Sequence, residues 1–128
     1  MSISGNLQNP ALVSKIAVAD LTDYSYQAVK QDSAGKIAAC TASTDRPFGI
    51  LQEGGVTNQS LQVAPINGGG RSRIVLSTTL ATGAAVSIDA TGQAAAEASG
   101  NYTIGELEQG GAVGETGVIS LGFITVKA

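Results

Sequence analysis

The chain has 128 residues, a net charge of −3, no histidine, one cysteine and only 13% charged side chains. Its length fits one domain with one core, and with no basic face and no apolar run of about 18 residues, neither nucleic-acid binding nor a membrane span is expected. A typical soluble domain has about 25% charged residues. A surface this poor in charge indicates that partners cover part of it.

The first 23 residues differ from the rest and are predicted to form an N-terminal arm. Residues 1–10 are mostly polar, and Ile3 and Leu7 among them follow no sustained period. A frayed terminus is one interpretation, and an arm whose Ile3, Leu7 and Leu12 dock on a partner is the other. Residues 13–19 are expected to form a strand or a short helical turn. No secretory signal is present at the start, so synthesis in a cytoplasm is expected.

From residue 24 to residue 128 the sequence predicts a β-rich domain, because apolar residues recur with a period of two and glycines mark the turns. The segment 32–35 is typical of a hairpin turn in which Gly35 takes a positive φ angle. A returning strand is expected at 36–40. Its Cys40 has no second cysteine to pair with and is interpreted as a small core residue.

The segment 36–52 is predicted to contain two short strands joined by a turn at 45–47. Pro47 lacks an amide donor and suits the start of a strand or an edge. Phe48 is one of two phenylalanines in the chain and is predicted to anchor the core. Gly49 has no side chain, so another strand can approach it closely.

A further strand is expected at 60–66, with Pro65 marking an edge or a strand end. The glycine-rich segment 67–70 is predicted to be a hairpin loop, since neither the lysine nor the helix of a phosphate-binding loop follows it. Arg71 and Arg73 then share one face of the next strand. They are either solvated or paired with carboxylates of a neighbouring subunit.

After a turn at 80–83, alternation predicts a strand with Val86 and Ile88 inward and with Ser87 and Asp89 outward. The alanine-rich stretch 93–98 lies between glycines, which favours a short packed strand or a loop.

Tyr102, Ile104 and Leu107 are assigned to the following strand. Glu106 and Glu108 share one of its faces. A calcium site or a glycosidase pair is the alternative for these two carboxylates, but a solvated or interface edge is favoured because the flanking chemistry is absent.

The last strand is predicted at 116–126 and is apolar on both faces. Such a strand must be covered on both sides, which implies either the middle of a barrel or a contact between subunits. Ile119, Leu121 and Phe123 are the candidates for that subunit contact, together with Arg71 and Arg73.

No catalytic, cofactor-binding or metal-binding constellation is found, so an enzyme is not expected. The commonest general base is missing because the chain has no histidine. No lysine lies in the spacing that activates a serine nucleophile.

The order and spacing of several short motifs resemble the small capsid decoration, or cement, proteins of tailed bacteriophages. The similarity covers roughly residues 24 to 122. The motifs lie at 32–36, 45–51, 80–86, 89–92, 102–105 and 117–121.

This resemblance implies an all-β knob, a small β-barrel or β-sandwich of β-tulip type, with an extended N-terminal arm. It also implies a homo-oligomer, commonly a trimer, bound to the major capsid protein at threefold positions on the outside of the expanded head. The protein would then be part of the virion and would stabilise the coat lattice against internal pressure.

Two other classes remain open. A β-rich adhesin or carbohydrate-binding module of a phage fibre is one, although the chain has no tryptophan and only three tyrosines for stacking on sugars. A biotinyl- or lipoyl-type carrier is the other. It needs a lysine at a hairpin tip, and Lys36 lacks the flanking residues of such carriers.

Overall fold

The computed structural model describes residues 12–126, apart from the side chains at positions 123 and 124. Two five-stranded antiparallel sheets pack together and do not close into a barrel. The all-β prediction is therefore confirmed, and of its two forms the structure has the sandwich. The strands are β1 (Val13–Ile16), β2 (Ala28–Gln31), β3 (Ile37–Ala39), β4 (Gly49–Leu51), β5 (Ser60–Pro65), β6 (Arg71–Val75), β7 (Ala85–Ile88), β8 (Ala94–Ala96), β9 (Tyr102–Gln109) and β10 (Thr116–Val126).

The two sheets have the same topology. Their strand orders are β1-β5-β4-β2-β3 and β6-β10-β9-β7-β8, so each strand of the second sheet corresponds to the strand five places earlier in the chain. The registers agree as well, since the pair Leu51 and Val63 corresponds to the pair Leu107 and Ile119. The chain is thus an internal duplication. We call residues 12–66 the first module and residues 71–126 the second module.

One hairpin turn occurs in both modules with the same hydrogen bonds. In the first module, Asp32 Oδ1 accepts from the amides of Ala34 and Lys36, both at 2.9 Å. In the second, Asp89 Oδ1 accepts from the amides of Thr91 and Gln93, at 2.8 and 3.0 Å. A short aspartate that bonds the backbone two and four residues ahead fixes this turn. The glycine that follows each aspartate by three positions has a positive φ angle, 80° at 35 and 88° at 92.

Each sheet has an inner face and an outer face. The inner face of the first sheet forms its own cluster, which includes Val29, Leu51 and Val63. The outer face of that sheet, with Ala28, Ile50 and Ala64, belongs to a second cluster together with the sheet of the second module. In the second module this cluster contains Val86, Leu107 and Ile119, which correspond to the inner-face residues of the first module. The outer face of the first module therefore covers the inner face of the second.

Close backbone approach requires a glycine at the same place in both modules. A Cβ at Gly49 would lie 2.4 Å from the carbonyl oxygen of Ala64, and a Cβ at Gly105 would lie 2.2 Å from that of Ser120. The close approach predicted at Gly49 is confirmed. The neighbouring Phe48 is half-buried and packs at the rim of the first cluster, so it borders the core without forming its centre.

The described end of the proposed arm is part of the sandwich. Strand β1 pairs with β5 in register from Val13 to Ile16, and Ala17 and Leu21 are buried in the first cluster. These apolar side chains follow no simple period because β1 ends at Ile16 and the chain then turns into the core. Residues 13–21 of the segment assigned to the arm therefore pack with the sandwich, and residues 1–11 lie outside the described part.

The connector between the modules is not a hairpin loop. A single 3-10 turn spans Ile66–Gly68, and Gly69 follows with a φ angle of 72°. The strands on either side, β5 and β6, belong to different sheets. A glycine run followed by an alternating segment has the same sequence pattern whether the next strand pairs with the preceding one or crosses to the other sheet. The prediction of a hairpin was wrong for this reason.

Ser87 is the one residue of β7 whose predicted direction is wrong. Val86 and Ile88 are buried as expected, but Ser87 is fully buried as well, and within the described residues its hydroxyl has no hydrogen-bond partner. Alternation correctly assigned it to the face opposite Val86. That face is covered by protein, and the sequence did not reveal the cover.

Candidate functional site

The free edge of the first sheet carries exposed apolar side chains. Strand β1 is the outermost strand of its sheet, and Leu12 directly before it and Ile16 at its end are 41% and 37% exposed. Just beyond β1, Val18 is 43% exposed, and its amide donates to the carbonyl of Ile37 in β3 at 2.9 Å. We call these three residues the edge surface. Exposed apolar residues clustered on a sheet edge mark a site for partners, because natural edges are usually protected by charge.

The second module provides an internal comparison for this edge. Register places Arg71 where the first module has Leu12, and Val75 where it has Ile16. Arg71 is bound to Glu108, with Nη2 at 2.9 Å from Oε1 and Nε at 2.9 Å from Oε2. At the first of these two positions the second module is charged and paired where the first module is apolar. At the second position both modules carry an apolar residue, which is exposed in Ile16 and half-buried in Val75.

The predicted docking residues of the arm are described only in part. Ile3 and Leu7 lie outside the described residues. Leu12 is exposed and belongs to the edge surface. Its contact with a partner stays a prediction.

The two candidate arginines at a subunit seam lie on one face of β6, as predicted. Both are exposed, and the carboxylate that Arg71 binds is Glu108 of the same chain. Arg73 lies opposite Val118 of β10. A contact of Arg73 with another subunit stays a prediction.

The apolar candidates on β10 are placed inside the subunit. Ile119 is fully buried and Leu121 is 4% exposed, both in the cluster between the sheets. In the folded chain their side chains are therefore not available to another subunit. The side chain of Phe123 lies outside the described residues. On the other parity of the strand, Val118 is half-buried and Val126 is exposed.

A second surface feature was not foreseen from the sequence. An open hollow of about 310 Å³ lies at the inner rim of the first module, lined by Gln31, Arg46, Pro47, Phe48, Pro65, Ile66 and Asn67. The ammonium of Lys15 lies 5.1 Å from the centroid of the Phe48 ring. Only the fold brings these separate segments together, so no local motif could have indicated the hollow.

The turn that precedes Phe48 is held by Asp45. Its Oδ2 accepts hydrogen bonds from the amides of Thr41 (2.8 Å) and Ala42 (3.1 Å), and the ammonium of Lys30 is 3.2 Å away. The amide of Thr41 contributes most to lowering the pKa of Asp45, and Lys30 adds to the effect. The ionised carboxylate therefore stabilises this rim of the hollow.

Replacing Asp45 with asparagine is expected to remove a pH-dependent part of the stability. Because the folded pKa is lowered, this part is fully present above the unfolded pKa of about 3.9 and is lost as the pH falls towards the folded value. Urea unfolding between pH 2 and pH 7 measures it. The Asp45→Asn curve should fall less steeply in acid than that of the wild type. An Asp45→Asn slope equal to that of the wild type would contradict the assignment.

The single cysteine is a core residue, as predicted. Cys40 is buried and free, and burial is the largest cause that raises the pKa of its thiol to about 12. A thiol reagent at pH 8 is therefore expected to leave the folded protein unlabelled and to react rapidly once urea unfolds it. Rapid labelling without denaturant would show that the first module opens at Cys40.

Within residues 12–126, no group of three or more acidic or cysteine side chains is placed to hold a metal ion. The same part of the chain contains no helix long and apolar enough to cross a membrane. No protein-family model matches the sequence, and no curated protein shows significant sequence similarity to it.

Proposed function

We propose that this chain is a capsid decoration protein of a tailed bacteriophage. It binds the outer surface of the expanded head as an oligomer, with a trimer at threefold positions as the expected form, and stabilises the coat lattice. The observation that carries the proposal is the edge surface, because Leu12, Ile16 and Val18 form an exposed apolar edge directly after residues 1–11. The motif order described above supports the same function.

An open sheet edge is suited to a coat protein partner. A free strand can accept an extended segment of another chain through main-chain hydrogen bonds, while exposed side chains supply the specific contacts. Residues 1–11 immediately precede Leu12 and β1 in the sequence, so contacts that they make with a coat subunit would continue along the edge surface. An arm and an edge acting together give a continuous binding region.

Stabilisation of the head follows from binding to several coat subunits at once. Linked weak contacts raise the overall affinity about 10²–10⁴-fold without any new type of contact. A protein that binds only the expanded lattice shifts the equilibrium towards that lattice by mass action. No chemical reaction is needed for this function.

Co-sedimentation with purified heads tests the proposal. The wild-type chain should sediment with expanded, undecorated heads in a fixed ratio to coat protein and should stay in solution with unexpanded shells. No binding to expanded heads of any tailed phage that encodes the chain would overturn the function.

Two variants test the edge surface separately. Truncation of residues 1–11 keeps β1 intact, and the double change Ile16→Ser with Val18→Ser removes apolar contacts without touching the core. Each should lower head binding at least tenfold. Val113→Ser is the matched control, because Val113 is even more exposed, at 63%, but lies in the turn between β9 and β10. Head binding by wild type with no loss in either variant would exclude this surface while leaving the function in place.

The carbohydrate-binding alternative has less support from the aromatic residues. Stacking on a sugar needs an exposed ring face, whereas Phe48 is half-buried and has the Lys15 ammonium near its ring. The three tyrosines are half-buried as well. Binding of the wild-type chain to a glycan array, without binding to heads, would favour this alternative.

A further inference from the structure

The duplication leaves two different open surfaces on the molecule, one on each module. The outer face of the first module is buried against the inner face of the second, and this internal interface uses a different face of each module. An interface of this kind is heterologous, because each module contributes a different face. The centre of the inner face of the first module, with Val29, Leu51 and Val63, is buried by residues of the same module. The surfaces left open are therefore the inner rim of the first module and the outer face of the second module.

The inner rim of the first module is the open counterpart of a buried surface. In the second module, Ile88, Ile104 and Leu121 are all at most 4% exposed, because the first module covers them. The corresponding residues of the first module are Gln31, Phe48 and Pro65, which line the 310 Å³ hollow. The hollow thus occupies the position at which the second module receives its neighbour.

The outer face of the second module is uncovered around β9 and β10, although Ser87 on the same face of β7 is buried. Ala28, Ile50 and Ala64 of the first module are fully buried in the internal interface. Their counterparts in the second module are the half-exposed Ala85 and the exposed Glu106 and Ser120.

Within the described part of the chain, two backbone hydrogen bonds cross the internal interface, and neither has its equivalent at the open surfaces. The amide of Ala28 donates to the carbonyl of Gly92 at 2.8 Å, and the amide of Val75 donates to the carbonyl of Tyr26 at 2.9 Å. Among residues 12–126, the reciprocal bonds from Ala85 to Gly35 and from Ile16 to Gly83 are not made.

The glycines of the repeated turn show the same asymmetry sterically. A Cβ added at Gly92 would lie 2.4 Å from the carbonyl oxygen of Ala28, whereas a Cβ at Gly35 would meet nothing within 4 Å. Both glycines have nearly the same positive φ angle. The turn at 35 is therefore shaped like one that receives a neighbouring strand, but no neighbour is present in the chain.

We infer that a second copy of this chain docks head to tail, with the outer face of its second module seated on the inner rim of the first module. The contact repeats the internal interface, with Gly35 receiving Ala85 as Gly92 receives Ala28. Charge favours this pairing, because Lys15 and Arg46 lie at the rim while Glu106 lies at the centre of the opposing face. Repeated contacts of this kind close into a ring or continue as a filament. A ring of three copies would contain six similar modules.

Two single variants test the contact from its two sides. Gly35→Asn keeps a residue that tolerates a positive φ angle but places a side chain where Ala85 must approach. Glu106→Lys puts a cation opposite Lys15 and Arg46. Light scattering and native mass spectrometry of the full chain should show an assembly for the wild type and monomers for both variants, with association weakened at least tenfold. Circular dichroism confirms that each variant is folded.

The controls carry the same local changes elsewhere. Gly100→Asn alters a glycine with a φ angle of 85° and nothing within 4 Å, and Asp23→Lys makes the same charge change on an exposed turn. Both should assemble as the wild type does. A wild-type chain that stays monomeric at about 100 μM, where even a weak assembly would be populated, would overturn the inference, as would normal assembly of either variant.

Mixing the two variants distinguishes a head-to-tail contact from a twofold one. The Gly35→Asn chain retains an intact outer face, and the Glu106→Lys chain retains an intact inner rim. Together they should form a one-to-one heterodimer that neither forms alone, and a mixture that remains monomeric would contradict the inference. The inference does not rest on capsid binding, because the assay contains no heads. Its failure therefore leaves the proposed function to its own test.

Discussion

Replacing Gly92 with alanine is expected to lower the free energy of unfolding by about 2–5 kcal/mol, which is a large part of the stability of a domain this size. Two effects add. A residue with a Cβ in the left-handed conformation costs about 1–2 kcal/mol, and the φ angle of Gly92 is 88°. The new methyl group would also lie 2.4 Å from the carbonyl oxygen of Ala28, and forcing a packed interface apart costs about 1–3 kcal/mol more.

The repeat supplies the control for this prediction. Gly35→Ala makes the same change in the same type of turn, with a φ angle of 80° and open space around the new methyl group. In dilute solution, where assembly makes no contribution, it should lower stability by only about 1–2 kcal/mol. Urea denaturation of both variants measures the difference. Equal losses would mean that the modules do not pack at Gly92 as described.

Truncating Ile119 to alanine is expected to lower the free energy of unfolding by about 2–5 kcal/mol. Its side chain is fully buried in the cluster between the two sheets, so the change removes apolar contacts and leaves a cavity. The loss should be the same at low and high protein concentration, because the contacts lie within one chain. A loss that appears only at concentrations where subunits associate would instead place Ile119 at an interface.

Val126→Ala is the matched control on the same strand. Val126 is 56% exposed, so its truncation should change stability by no more than about 0.5 kcal/mol. Comparing the two variants tests the two faces of β10 separately. On the Ile119 face the cover comes from the chain itself, whereas Val126 on the other face is exposed, and cover of that face by another subunit stays a prediction.

Local features of the fold were predictable because short-range chemistry determines them. The turn at 32–35 and the close approach at Gly49 each depend on a glycine, and the strand at 116–126 is indicated by a run that is apolar on both parities. The buried state of Cys40 followed from its apolar neighbours and from the lack of a second cysteine. These features do not depend on which sheet a strand joins.

The pairing of sheets was not predictable from the same signals. Whether the chain at 67–70 turns back or crosses over depends on which distant strand buries β6, and alternation carries no information on that. The direction of Ser87 and the burial of Ile119 are wrong or incomplete predictions for the same reason. Of the candidate site, the sequence indicated Leu12. Ile16 and Val18 could be assigned to the edge surface only after the structure had placed β1 at the edge of its sheet.

The duplication can be recognised in the sequence, and a recognised repeat carries information about the topology of the fold. Residues 28–39 and 85–96 share an Ala-Val pair, an aspartate, a glycine three positions later and a final Ala-Ala pair, all at identical spacing. The segments differ in their remaining side chains, so the likeness is carried by the residues that shape the turn. Recognising it would have predicted two sheets of equal topology.

The glycine-rich connector at 67–70 has a consequence for refolding. Because it joins two modules that fit together through a fixed interface, the first module of one polypeptide can pair with the second module of another without changing a single contact. Concentrated refolding should therefore yield entangled dimers by domain exchange, and slow dilution should favour the self-contained monomeric fold. Shortening the connector would shift that balance towards exchange.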